Sequence, residues 1–115
     1  MAETRPLEVL YGNTKNKNMS NICSNTFYAC SEDRQNIDTI INFFQDRPYA
    51  EIEDSDTSVD VYFDSKWVFP EKEMNELYDL IPNKDDLYAR CLSVEYGMDY
   101  VAYWKCNEEG WYQEV

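Results

Sequence analysis

The 115-residue sequence has no histidine and only three glycines. Without an imidazole there is no Ser-His-Asp triad and no His-based proton transfer. Three glycines cannot build a phosphate cradle, and no G-x-x-x-x-G-K segment occurs. The four cysteines, Cys23, Cys30, Cys91 and Cys106, include no C-x-x-C pair, so zinc-knuckle and dithiol redox spacings are missing. No apolar run approaches the length of a membrane span, and the N-terminus carries no apolar secretory stretch. The expectation is a cytoplasmic protein with reduced thiols that mostly serve as small buried apolar groups, without a metal or cofactor.

Positive charge is scarce: ten Lys and Arg face twenty-three Asp and Glu, a net charge of −13. Arg5, Lys15 and Lys17 all precede Met19, so the remainder is more acidic still. Such a surface repels nucleic acid and anionic membrane and steers toward basic surfaces on other molecules. Solubility alone is the plainer use of that charge. Apolar residues make up 43%, and aromatics are plentiful, with 10 Tyr, 5 Phe and 3 Trp. A chain of this length supports one core. Residues 1–18 lack a core-forming period and read as an N-terminal arm or extension, which leaves 19–115 as the folded domain.

Within that domain, Ile22 to Cys30 is aromatic-rich and reads as a strand. Ser31-Glu32-Asp33 offers caps for a helix whose stripe is Ile37, Ile40, Ile41 and Phe44, ended by Pro48. Tyr49 to Glu53 and Ser58 to Phe63 read as strands around a polar turn, the second alternating Val59, Val61 and Phe63 with Asp60, Tyr62 and Asp64. Pro70 suits the first turn of a second helix, with Met74, Leu77, Tyr78 and Ile81 as its stripe, stopped at Pro82-Asn83. Leu87 to Tyr96 and Met98 to Cys106 complete the strands, before a turn at Asn107 to Gly110. The order β-α-β-β-α-β-β predicts an α+β domain: a ferredoxin-like antiparallel sheet with two helices on one face and a C-terminal hairpin extension.

Three short segments carry a resemblance. Met19-Ser20-Asn21-Ile22-Cys23-Ser24-Asn25 resembles the Met-Pro-Asn-Trp-Cys-x-Asn opening of the YubB-like ferredoxin-like family, small proteins encoded mainly by phages and plasmids. Phe63-Asp64-Ser65-Lys66-Trp67 resembles that family's Phe-x-Thr-Lys-Trp, and Glu95-Tyr96-Gly97-Met98-Asp99-Tyr100 its Glu-x-Gly-x-x-Phe. Ser20 and Ile22 depart from the pattern, standing where the family has Pro and Trp. The resemblance implies a ferredoxin-like fold and a mobile-element origin, and it brings no catalytic residue with it.

Candidate chemistry is thin. Carboxylate pairs are inevitable among so many acids and carry no signal. Cys91 follows Arg90 and Cys106 follows Lys105, but neighbours on a strand point to opposite faces, so neither thiol gains a cationic partner. Tyr49, Tyr62, Tyr100 and Trp104 suggest a base-stacking platform, without the basic residues that hold a phosphate backbone.

The sharpest feature is the acidic hairpin. Between Asp46 and Asp64 stand seven acids and one base, Arg47. Carboxylates two apart on a strand lie about 7 Å from each other, loosely commensurate with a nucleic-acid backbone bearing one charge about every 3.4 Å. The expected function is therefore non-enzymatic: an acidic binder, a nucleic-acid mimic, that masks the nucleic-acid-binding surface of a host defence protein. Its candidate contacts are Glu51, Glu53, Asp54, Asp56, Asp60, Tyr62 and Asp64, with a second acidic face at Glu71, Glu73, Glu76 and Asp79. The plainer reading is a solvated hairpin whose charges protect a sheet edge. The alternative function is a structural or assembly module, joined as a homodimer through its open sheet.

Overall fold

Alternate residues of the strands are buried, and the apolar stripes of two helices close over them. The computed structural model describes residues 22–115; the arm at 1–18 lies outside the described residues, as do the first three residues of the Met19 segment. In chain order the elements are β1 (Ile22–Cys30), α1 (Arg34–Gln45), β2 (Glu51–Asp54), β3 (Ser58–Lys66), α2 (Glu71–Leu80), β4 (Tyr88–Glu95), β5 (Tyr100–Asn107) and β6 (Gly110–Gln113). The strands form one sheet in the order β2-β3-β1-β4-β5-β6, every neighbouring pair antiparallel.

Local chemistry sets the helix ends. The Asp33 carboxylate accepts the Gln35 N–H at 2.9 Å, satisfying one of the donors that a helix start leaves open. Shortly past α1 comes Pro48, which has no N–H to continue the ladder. Glu71 and Glu73 occupy the first turn of α2, where the helix dipole favours negative charge. Pro82 forces the preceding Ile81 out of the helical region, to ψ 121°. Pro70 itself stands one position outside the helix, as its N-cap.

One face of the sheet is the core. Phe27 and Ala29 of β1, Val59, Val61 and Phe63 of β3, and Ala89 and Cys91 of β4 meet Ile37, Ile40 and Phe44 of α1 and Met74, Leu77 and Ile81 of α2. Phe69 stacks flat on Trp104, with centroids 4.2 Å apart, and the Trp111 indole N–H donates to the Met74 carbonyl at 3.0 Å. Asn36 is fully buried and ties α1 to the chain after α2: its amide donates to the Asn83 carbonyl at 2.8 Å, and its oxygen accepts the Asn83 N–H at 3.0 Å.

Several details differ from the sequence reading. The last residues add a sixth strand, because Gly110 at φ +112° lets the chain reverse after Asn107. Tyr49 is not in a strand: it takes φ +65° in the turn after α1, and β2 starts two residues later. β3 runs on to Lys66, its whole length paired with β1.

Candidate interaction surface

Among the described residues no helix covers the other face of the sheet, and strand register decides what stands there. Residues directly opposite in an antiparallel pair share a face. From β2 to β6 one row across this open face reads Glu53, Asp60, Tyr28, Arg90, Lys105, Tyr112. The next row reads Glu51, Tyr62, Thr26, Leu92, Tyr103, and the one after it Asp64, Ser24, Val94, Val101. Acids thus gather on β2 and β3, while Arg90 and Lys105 stand on β4 and β5.

Of the residues singled out from sequence, the fold brings together Glu51, Glu53, Asp60, Tyr62 and Asp64. Glu51 and Glu53 are exposed on β2, the edge strand, and Tyr62 and Asp64 are exposed beside them on β3. Glu53 lies directly opposite Asp60, a like-charge pairing that costs a strand pair stability. Asp54, one residue on, belongs to the helix-covered side of the sheet and faces the Arg34 guanidinium at 3.6 Å. The same guanidinium donates to the carbonyls of Ser55 at 2.8 Å and Asp56 at 3.2 Å, so the hairpin turn is pinned to α1. Glu71, Glu73, Glu76 and Asp79 belong to α2, in the layer on the far side of the sheet, and Glu73 pairs with Arg47. The eleven candidates therefore form no single surface.

The stacking platform read from sequence is not assembled either. Tyr100 and Trp104 point to the covered side, where the Tyr100 hydroxyl accepts the Phe69 N–H at 3.3 Å. The tyrosines of the open face are Tyr28, Tyr62, Tyr88, Tyr103 and Tyr112. Arg90 lies over the Tyr28 ring, 4.4 Å from its centroid, and donates to the Tyr88 hydroxyl at 3.4 Å. Lys105 sits 5.9 Å from the Tyr103 centroid and 3.9 Å from the Glu114 carboxylate. The sequence hides this grouping, although each of Tyr28, Tyr88 and Tyr103 adjoins an alanine (Ala29, Ala89, Ala102) that strand alternation sends inward.

Burial works against Cys23, Cys91 and Cys106 as nucleophiles. Burial pushes both Cys91 and Cys106 up to about 12, and burial also raises Cys23. Arg90 and Lys105 project from the opposite face and do not counter this. Among the described residues no group of three or more Cys, Asp or Glu is placed to hold a metal ion, and no helix is long and apolar enough to cross a membrane. A recess lined by Phe27, Leu77, Ile81, Cys106 and Trp111 encloses about 10 Å³, the threshold for one water. Among the described residues the open face presents charge, phenol hydroxyls and the half-buried Cys30 thiol.

No family model matches the chain, and neither a curated protein nor a solved structure does so.

Proposed function

We propose that this is a non-enzymatic binding protein whose β2–β3 strip occupies a basic, nucleic-acid-binding surface on another protein. The observation that carries the reading is the alignment of Glu51, Glu53, Asp60 and Asp64 on one face at the sheet's edge, with Glu53 opposite Asp60. Folding gains nothing from like charges across a strand pair, whereas a cationic groove would gain from both. Tyr62, exposed among them, adds the amphipathic ring that protein interfaces favour.

In this reading the strand order β2-β3-β1-β4 is the ferredoxin-like arrangement, with β5 and β6 as an added hairpin. The protein belongs to a phage or other mobile element, works in the host cytoplasm, and blocks a host defence protein by taking the place of DNA or RNA. The α2 acids take no part in that contact, since they lie on the other layer.

Charge reversal tests it. The combined substitution E51K/E53K/D60K/D64K should abolish salt-sensitive capture of host nucleic-acid-binding proteins, and added DNA or RNA should compete for the same partners. Reversals at the exposed Glu51, Glu53 and Asp64 should each move stability by only about ±0.5 kcal/mol, half-buried Asp60 being the one to check by thermal unfolding, while lysines against a cationic groove cost several kcal/mol of binding. Reversal of Glu108, Glu109 and Glu114 controls for net charge. Equal loss in both sets would reduce the strip to bulk charge, and no loss in either would sink the reading.

A further inference from the structure

We infer that the open face of the sheet is a self-docking surface whose occupant is a second copy of this chain. The inference stands independently of the proposed host partner. Its basis is the order of side chains across the face: Glu53, Asp60, Tyr28, Arg90, Lys105, Tyr112. Read backwards, the centre of that row sets base against acid and cation against ring.

A two-fold axis parallel to the strands, passing between β1 and β4, exchanges β1 with β4, β3 with β5 and β2 with β6. It leaves each residue at the same height along the strands. Asp60 then faces Lys105 of the second copy, and Tyr28 faces its Arg90, a residue that already rests over a tyrosine ring at 4.4 Å. In the neighbouring row Tyr62 meets Tyr103 and Thr26 meets Leu92. In the third, Ser24 meets Val94 and Asp64 meets Val101. The contact is isologous, as a closed dimer requires.

The apolar content fits the same arrangement. Leu92, in the middle of the face, is 41% exposed, and Val101, near its end on β5, is 61% exposed. Sheets packed face to face lie about 10 Å apart with strands within about 30° of parallel, a gap that side chains such as Tyr, Arg and Lys fill from both sides. Four strands of about eight residues, at about 4.8 Å spacing and about 3.3 Å rise, present about 500 Å² per copy. Two copies reach about 1,000 Å², the lower bound for a specific interface. Such a dimer covers Asp60, so self-association and docking on a basic partner compete for one face.

The experiment is sedimentation equilibrium on the purified full chain, with no partner present. Wild type should show a monomer–dimer equilibrium. D60K and K105E should each weaken it at least about tenfold, and D60K should do so although it lowers the net negative charge. An equimolar mixture of D60K and K105E should restore dimerisation, because both cross-copy contacts between positions 60 and 105 then pair a lysine with an acid. The double variant D60K/K105E should also dimerise. Within one chain the two positions are three strand spacings, about 14 Å, apart, so rescue cannot arise from an internal ion pair. Circular dichroism establishes that each variant is folded. A monomeric wild type, reversals without effect, or a mixture that stays monomeric would each overturn the inference.

Discussion

The two faces of the sheet are made by the same strands and answer to different demands. On β1, Phe27 packs its ring against Phe44 with centroids 5.3 Å apart, while Tyr28 projects the other way between Asp60 and Arg90. Where the covered face meets the two helices, volume and apolarity decide residue identity, and toward the far ends of β1 and β4 the same face buries Asn25, Ser93 and Glu95. The open face is chosen by something else. Folding alone does not call for a tyrosine under an arginine, nor for a glutamate opposite an aspartate. Identity that packing does not explain is where function is to be sought, and Glu53, Asp60, Tyr28 and Arg90 carry it across the open face.

The sharpest way to break that contrast is to truncate one aromatic from each face. Phe44→Ala should cost about 3–5 kcal/mol, since a fully buried ring leaves both lost transfer energy and a cavity. Tyr28→Ala should cost far less, about 1 kcal/mol, mainly its contact with Arg90. Urea unfolding at neutral pH measures both. Comparable losses would mean that the open face is part of the fold's own stability and that its composition needs no functional cause.

A second test separates the faces by pH. Cys91 is fully buried, and its thiol is raised from 9.0 to about 12 in the folded protein. Well below pH 9 both states hold the proton and the shift contributes nothing to the pH dependence. Above that the unfolded chain ionises while the folded one does not, so stability falls as pH climbs toward about 12. The difference between wild type and Cys91→Ala should therefore change by about 2 kcal/mol between neutral pH and about pH 10.5. A difference that stays flat would place the thiol in contact with water and contradict its burial.

How far the sequence reveals this contrast depends on the range of the signal. The helices are legible because Ile37, Ile40 and Phe44, and Met74, Leu77 and Ile81, repeat within a single turn or two. The acids of β2 and β3 are legible as a strip because a short hairpin fixes its own register. Asp54 departs from them by one residue of alternation, and only Arg34, brought in by α1, marks the side it takes. Tyr49 looks like a strand residue because aromatics favour strands, yet Pro48 and the end of α1 place it in a turn. The row from Asp60 to Lys105 cannot be read at all. It joins residues 60, 28, 90 and 105, and that adjacency exists only once β1 has paired with both β3 and β4. β6 escapes because four residues beginning with Gly110 carry no alternation to count.

The smallest expected effect probes most directly why the acids are there. Glu53 and Asp60 stand directly opposite each other, and like charges so placed destabilise a strand pair by a few tenths of a kcal/mol. Glu53→Gln keeps the side chain's length and hydrogen-bonding capacity while removing the repulsion, so it should raise stability by about 0.2–0.5 kcal/mol. The gain should shrink in about 1 M salt, where charges are screened within about 3 Å. Urea titrations at low and high salt, compared between wild type and variant, resolve the difference as a shift in midpoint at constant slope. The same substitution should weaken capture of a basic partner. Higher stability together with weaker binding would identify Glu53 as a residue held against the interest of the fold. A loss of stability in both salts would give the carboxylate a structural role, and the acidic strip would then need no partner to explain it.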